Sequence, residues 1–365
     1  MVALLKTDYD IVIVGAGPAG SSTAYFSKLF DQSNSKDILV IESLNKNKFI
    51  RYHHMCGEVV SKYFKKDFSQ MDISGFVTNK VDKFVEYWGD EIKIQSPLSG
   101  YVIDRPRFFL HLIDEFKNMG GKLLTDKLTS FEEKEKKIEL KLENNGTIKT
   151  KFLVVATGPK KPEGNISDIK GDIFCSLLYQ ILVKNYPLEK NCVEFYYDEQ
   201  YKENYKWIFP YGDFVKIGVP FENKNELKKY NNYEIVRKDV KPVCCGVLKN
   251  YNINNILLVG DAAYQNNPLT KGGIRNAINA GRMAAEAIVK YNDSFKYDTM
   301  WKKSGFFTEP YLIASRQLGI MKNKELIHQS KPLRYYPFSL PIIFFKYRQY
   351  IPLYKMYISS EKYGW

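Results

Sequence analysis

Three groups of residues have types and spacing that chemistry could use. The first is Gly15, Gly17 and Gly20, a G-x-G-x-x-G pattern set between a short buried strand expected at 10–14 and a stretch from Ser21 that can run as a helix. Gly15 permits a tight turn, Gly17 lets a pyrophosphate approach the backbone, and Gly20 lets helix and strand pack closely. The helix start offers unpaired N–H groups and a favourable dipole to phosphate. A second apolar run at 38–41 ends in Glu42, an acid placed where a dinucleotide's ribose hydroxyls need one. The second group is Cys56-Gly57-Glu58, a thiol and a carboxyl one residue apart, both able to carry a proton. The third is Tyr205, Trp207 and Phe209, whose alternation puts three aromatic rings on one face of a strand. They line an apolar channel or simply pack a sheet on its core.

The elements that must hold these groups follow from pattern. Residues 1–45 read as a β-α-β unit, 45–51 as a polar loop, and 59–68 as a short helix. His53 and His54 point apart in an extended segment and read as structural. Alternation from 77 to 94 predicts strands, with Gly89-Asp90 at a turn. Phe108, Phe109, Leu112, Ile113 and Phe116 fall at helical spacing, and Gly120-Gly121 ends that helix. A meander is expected over 122–125, 128–132 and 138–142, with Asn145-Gly146 turning the chain into a strand from 148. The stretch 151–158 reads as another buried strand, ending in glycine, that returns to the first sheet. Strands at 174–183, 192–197, 205–209 and 214–219 make a second, antiparallel sheet, with Pro210 and Gly212 ending the third of them. Residues 256–260 repeat the look of the first strand, 261–270 form a loop, and Gly272 opens a helix to about residue 290. Residues 293–365 read as helical and aromatic, interrupted by prolines.

The fold class is therefore α/β: a Rossmann-like dinucleotide-binding domain (1–75, 100–160 and 253–290), interleaved with an antiparallel-sheet domain (76–99 and 161–252), and a C-terminal helical region (291–365). The 365 residues can bury a large core. The net charge of +13 suits anionic lipid headgroups or a phosphorylated substrate. Nucleic acid is not an expected partner, because there is no block of five or six Lys/Arg and no nucleic-acid module. Five cysteines (Cys56, Cys175, Cys192, Cys244, Cys245) with no C-x-x-C, and only four His, spell no metal site. With no leader segment in view, reduced thiols in a cytoplasmic protein are expected, Cys244 and Cys245 serving structure. The late apolar run at 340–345 is far short of the roughly 20 residues a spanning helix needs.

Motif order now adds a resemblance. Asp10-x-x-x-x-Gly15-Ala-Gly17-Pro18-Ala19-Gly20, Asp104-Arg105-x-x-Phe108, Val154-Val-Ala156-Thr-Gly158, Leu258-Val-Gly260-Asp261-Ala-Ala263 and Asn267-Pro268-Leu-Thr-x-Gly272-Gly273-Ile274 resemble the FAD-dependent oxidoreductases of the aromatic-hydroxylase superfamily. Cys56-Gly57-Glu58 and Tyr205-x-Trp207-x-Phe209-Pro210-x-Gly212 make the chain most similar to the geranylgeranyl reductases among them. The resemblance spans residues 8–290. It implies FAD, bound through Gly15, Gly17, Pro18, Ala19, Gly20 and Glu42 at the adenosine end and through Ala156 and Gly158. Arg105 would meet the pyrophosphate or ribityl region, and Gly260-Asp261 the ribityl hydroxyls. Pro268, Gly272, Gly273 and Ile274 would set a helix N-terminus against the flavin, stabilising its reduced, negative form.

The same resemblance implies reduction of C=C bonds in isoprenoid chains of membrane lipids or their precursors. Hydride would come from flavin N5, and the proton from Cys56, Glu58 or an ordered water. A free thiol's pKa near about 8.5 keeps that proton available at neutral pH. Tyr205, Trp207, Phe209, Pro210 and Gly212 would bind substrate. The chain departs from the family at Thr157-Gly158, where many relatives carry Asp-Gly, which leaves the external electron donor open between NAD(P)H and ferredoxin. Lys202-Glu203-Asn204 replaces a Pro-Gly, and the tail after 290 is short, so the far end of the pocket differs. The basic, aromatic stretch 335–365 fits a peripheral contact with an anionic membrane or a lid on the second domain. Two other functions stay open: a flavin-dependent monooxygenase or halogenase on another hydrophobic substrate, although Trp-x-Trp-x-Ile-Pro is missing, and a redox-silent flavin-bound protein.

Overall fold

A computed structural model describes residues 6–89, 91–96, 98–164, 166 and 170–365. Asp90 of the expected turn lies outside them. The chain begins with β1 (Asp8–Val14), α1 (Pro18–Phe30) and β2 (Ile38–Glu42), the strands pairing in parallel. Ile11, Val12 and Ile13 have no exposed surface, as expected of a parallel strand covered on both faces. Next come α2 (Lys46–His53), β3 (Val59–Ser61), α3 (Phe64–Asp67), β4 (Val77–Val81), β5 (Lys83–Trp88), β6 (Ile92–Ser96) and β7 (Gly100–Ile103). Then follow α4 (Arg105–Asn118), β8 (Lys122–Thr125), β9 (Leu128–Lys134), β10 (Lys137–Leu142) and β11 (Thr147–Val155). The second half holds β12 (Gly171–Lys184), β13 (Cys192–Tyr197), β14 (Lys206–Tyr211), β15 (Phe214–Pro220), β16 (Glu234–Leu248), β17 (Asn252–Ile253) and β18 (Ile256–Leu258). It closes with α5 (Ile274–Val289), α6 (Phe295–Lys303), α7 (Glu309–Gly319), α8 (Asn323–Ser330), α9 (Leu340–Lys346) and α10 (Ile351–Tyr363).

The first sheet runs β17-β18-β11-β1-β2-β8, with β9 and β10 added through β11. Its core packs α1, α4 and α5 against the strands. Helices α1 and α5 touch so closely that a Cβ on Gly281 would stand 2.7 Å from the Ala19 carbonyl oxygen. The second sheet, β16-β12-β15-β14-β13-β5-β6, is antiparallel except for the β13–β5 pair. That pair is parallel because the chain leaves at β5 and returns at β13 by a long crossover through the first sheet.

The register of this sheet aligns Glu86, Phe195, Trp207, Gly218, Gln180 and Asp239 in one row across six strands. Residues in register share a face, so these side chains look out on the same side. The missing side chain at Gly218 makes room for the Trp207 indole, which occupies the space a Cβ would take. On the opposite face Ile181, Val183, Ile208, Val215, Ile217 and Val219 form a separate core with Tyr201, Leu227 and Tyr230.

Several local expectations need correction. Residues 46–53 are helical, not a polar loop, because Asn45 caps them by accepting from the Lys48 amide at 3.0 Å. Residues 59–68 are not one helix: β3 pairs with β7 in a three-stranded sheet that also takes β4. Strand β8 is not part of the meander but extends β2 in parallel. Pro210 does not end β14, which continues to Tyr211. The thiols are not all reduced, since Cys175 and Cys244 stand opposite each other in β12 and β16 and are disulfide-bonded.

The C-terminal helices fold back over the second sheet. Buried Arg275 on α5 grips Asp67 at 2.6 Å and 3.1 Å and donates to the Lys362 carbonyl at 2.6 Å. The Ser61 amide donates to the Trp365 carbonyl at 3.2 Å, which fixes the last residue beside β3. Among the described residues no helix is long and apolar enough to cross a membrane.

Candidate active site

Between the two sheets lies a cavity of about 940 Å³. Its first part is bordered by Gly15, Gly17, Pro18, Ala19 and Glu42, at the junction of β1, α1 and β2. Gly15 holds φ +98°, and a Cβ there would collide with the Ala156 carbonyl oxygen. Glu42 accepts from the Ala16 amide at 2.7 Å and from the Leu44 amide at 2.8 Å, so the acid after β2 also braces the glycine turn. Two helices start at this cavity without a side-chain cap, α1 at Gly17 and α5 at Gly273. Their free N–H groups and dipoles favour anionic oxygens at two separated points. Ala156, Gly158, Asp261, Gly272, Gly273 and Ile274 border the space between.

His53 closes this part from above. Its Cε1 lies 3.1 Å from where a Gly17 Cβ would be, and its Nδ1 is buried with no partner among the described residues. Burial, helped by the charge of Arg105, holds the imidazole well below its usual pKa and so neutral. An orphaned polar atom, two open helix ends and a glycine cradle in one cleft fit a bound dinucleotide. FAD is the cofactor these residues accommodate.

The Cys56-Gly57-Glu58 turn borders the middle of the cavity. Gly57 is pressed on β14: a Cβ would meet Phe209 Cδ2 at 2.8 Å. Glu58 has φ +63°, a left-handed conformation that costs a non-glycine residue roughly 1–3 kcal/mol. Its carboxylate is buried in an ion pair with Lys216, which also donates to the Cys56 carbonyl oxygen at 2.8 Å. Burial lowers the Lys216 pKa while the Glu58 charge works to raise it. His54 Nδ1 lies 3.5 Å from the second Glu58 oxygen and 3.2 Å from the Tyr211 hydroxyl. Among the described free thiols, Cys56 alone is not buried. Burial pushes Cys192 up to about 11 and Cys245 up to about 12, so those two are inert at neutral pH.

The third part is aromatic. Tyr205, Trp207 and Phe209 all face the cavity from β14 and its approach, flanked by Phe195 at 5.3 Å from Tyr205 and 5.0 Å from Phe209. Phe84 and Trp365 meet at 4.5 Å and carry the wall to the C-terminus. Polar atoms interrupt it. Gln180 has neither amide atom partnered, and one oxygen of Glu86 and the Trp207 indole N–H also lack partners among the described residues. Glu86 accepts a hydrogen bond from the Tyr357 hydroxyl of α10, and burial raises its pKa to about 8.

Some expected site residues stand elsewhere. Gly20 and Gly260 do not border the cavity: an added Cβ would strike the Gly15 carbonyl oxygen from Gly20 and Ala19 Cβ, at 2.7 Å, from Gly260, so both serve helix–strand packing. Pro268 turns its carbonyl to Ser315 (2.9 Å) and Lys271 (2.6 Å). Pro210 and Gly212 are also off the cavity, Gly212 sitting in the β14–β15 turn with its amide on Asn79 at 2.7 Å. Arg105 borders the cavity, but Nε and Nη2 both donate to the His53 carbonyl, Nε at 2.8 Å, which anchors the end of α2. The sequence reading missed the site roles of His53, Glu86, Gln180, Lys216 and Trp365. Lys216 carried a signal: it is a lone cation in an apolar strand, in alternation with Gly218.

A family profile described as pyridine nucleotide-disulphide oxidoreductase matches residues 9–184. The digeranylgeranylglycerophospholipid reductase of Methanococcus vannielii is 26% identical over 345 residues, covering 83% of this chain and 84% of its own. A geranylgeranyl bacteriochlorophyll reductase-like protein from Thermoplasma acidophilum superposes with a TM-score of 0.80 at 22% identity, over 96% of this chain and 99% of its own. A flavin-dependent brominase shares the fold at a TM-score of 0.68 and 17% identity, over 98% and 96%.

Proposed function

We infer that this chain, a relative of the digeranylgeranylglycerophospholipid reductases, is an FAD-dependent oxidoreductase that saturates C=C bonds of isoprenoid chains in membrane lipids or their precursors. The observation that carries this reading is the continuity of one cavity, glycine-rich at one end and aromatic at the other, with the Cys56-Gly57-Glu58 turn between. An apolar chain needs the aromatic part and a dinucleotide the glycine part, and the turn stands where the two would meet.

FAD, when bound, supplies the hydride. The protein's share is to place the alkene, exclude water and deliver a proton. Phe195, Trp207 and Phe209 hold an apolar chain by contact area alone, since saturated and unsaturated carbons offer no polar handle. Cys56 is the acid we assign to the reacting carbon, because Glu58 is committed to Lys216. Glu86 keeps the far end uncharged while it is protonated. A reduced nicotinamide, giving one hydride, or reduced ferredoxin, giving two electrons one at a time, would refill the cofactor, and anaerobic bleaching of the flavin by each in turn tells them apart. We divide the labour along the chain as 1–75, 100–160 and 253–290 for the cofactor, 76–99 and 161–252 for the substrate, and 291–365 for closure.

The membrane side of the proposal rests on 331–360. Phe338 is 89% and Phe345 85% exposed, with Tyr335, Ile342 and Phe344 also open to solvent. Lys331, Arg334, Lys346, Arg348 and Lys355 lie among them, and no Asp or Glu does. Exposed rings beside cations that have no salt-bridge partner among the described residues suit an anionic bilayer, where the rings enter the interface and the cations meet headgroups. Cosedimentation with vesicles rich in anionic phospholipid should drop about tenfold in a Phe338→Ser, Phe345→Ser variant. Equal binding to neutral vesicles would refute the electrostatic part.

The functional test is anaerobic. Protein reduced with dithionite is mixed with geranylgeranyl lipids and the products are weighed by mass spectrometry. A gain of about two mass units per double bond is expected, and a reduced protein that leaves every polyprenyl compound unchanged rules the reading out.

A further inference from the structure

One buried ammonium ties both ends of the turn at the centre of the cavity. Lys216 has no exposed side-chain surface, and neither has its partner Glu58. Its Nζ reaches the Glu58 carboxylate, the Cys56 carbonyl oxygen at 2.8 Å, and the face of the Tyr211 ring at 4.0 Å. Residues 56 and 58 are thus bridged by a single group on β15. The turn needs such a bridge. Glu58 holds φ +63°, which an L side chain seldom adopts unless its surroundings impose it. The Ile103 amide holds the Glu58 carbonyl at 3.0 Å, and the Glu58 amide faces Cys56 Sγ at 3.4 Å. Gly57 already lies against Phe209, so the turn cannot sink further, and without the bridge its free direction is outward into the cavity.

We propose that Lys216 is the positioning residue of this site: by bridging the Cys56 carbonyl and the Glu58 carboxylate it holds the strained turn, whose Gly57 lies against Phe209 and Trp207, and with it the Cys56 thiol, at a fixed place. Glu58 then serves as the second arm of the clamp and not as the proton donor. The clamp rests on the reading of this turn as the acid end of the reductase site, but its geometry can be tested without any lipid.

The experiment uses the FAD-loaded full chain as wild type, Lys216→Met, and Glu58→Gln with Lys216→Met. Removing the cation alone leaves a buried carboxylate unpaired, which disfavours folding of the single variant; removing both charges relieves that. Amide hydrogen exchange is read at residues 57, 58 and 103, with thermal unfolding alongside. Exchange at those amides should accelerate by about tenfold or more in the double variant, while exchange in α1 and β1 stays unchanged. With geranylgeranyl lipid, kcat should fall about tenfold with KM within about twofold, since contact area in the aromatic part is untouched. A double variant with wild-type exchange at the turn and kcat within about twofold of wild type overturns the proposal: Lys216 would then only neutralise Glu58. If the turn loosens as expected but the wild type reduces no polyprenyl substrate, the clamp stands and the reductase reading falls.

Discussion

Glu86 offers the sharpest physical test, because its ionisation is opposed by the cavity it borders. The residue stands on β5 among Phe84, Phe195 and Tyr197, with one oxygen on the Tyr357 hydroxyl and the other unpartnered among the described residues. Burial raises its pKa from 4.5 to about 8. The folded state therefore holds this proton more tightly than the unfolded state does. The resulting stabilisation is fully present below the unfolded pKa and is lost as pH rises through the folded one. A shift of about 3.5 units at about 1.36 kcal/mol each corresponds to roughly 5 kcal/mol across the whole window, and on the order of 4 kcal/mol between about pH 5 and pH 8. Glu86→Gln keeps an acceptor for Tyr357 and cannot ionise. Urea unfolding of both proteins at about pH 5 and about pH 8.5 isolates the residue, because every other titrating group cancels in the difference. The two should be nearly equal in acid, and the wild type should be weaker by several kcal/mol in base. A wild-type-minus-variant difference that stays the same at both pH values would refute the reasoning, since no proton would then be linked to folding at this position.

Three further outcomes follow from packing and hydrogen bonding. Gly218→Val puts two methyl groups where the Trp207 indole lies, so the ring must swing into the cavity; a loss of about 1–3 kcal/mol in urea unfolding and a raised KM for polyprenyl substrate are expected, with FAD content unchanged. Glu42→Ala removes the acceptor for the Ala16 and Leu44 amides, and at roughly 1.5–3 kcal/mol for charge-assisted bonds FAD should bind about 10–100-fold more weakly in a flavin-fluorescence titration. Arg275→Met leaves Asp67 buried and unpaired and frees the Lys362 carbonyl, which should cost about 3–5 kcal/mol and expose the chain around Trp365 to protease. Unchanged stability in that last variant would mean the C-terminus is held by packing alone.

The parts of the site made from one continuous stretch are legible in the amino-acid order itself. Gly15 and Gly17 lie between a strand and a helix that their own neighbours specify, with Gly20 in that helix's first turn, and Tyr205, Trp207 and Phe209 share a face because a strand alternates. Backbone geometry over a few residues decides both. The resemblance to the geranylgeranyl reductases, carried by motif order, points to FAD and to the Cys56 turn in the same way. Local reading fails where distant partners compete. Residues 59–61 join a sheet because β7 lies beside them, and Cys175 meets Cys244 because β12 and β16 align over their whole length.

What only the tertiary structure decided is which groups are spent and which are free. Arg105 has the right chemistry for a phosphate, yet the end of α2 takes two of its N–H groups. Glu58 has the right chemistry for an acid, yet β15 brings Lys216 against it from 158 residues away. Glu86 is an ordinary surface type whose neutrality comes from aromatic walls contributed by β5, β13, β14 and α10. A sequence states the donors and acceptors a chain owns; their availability depends on long-range register, because hydrogen bonding and desolvation act through space and not along the chain.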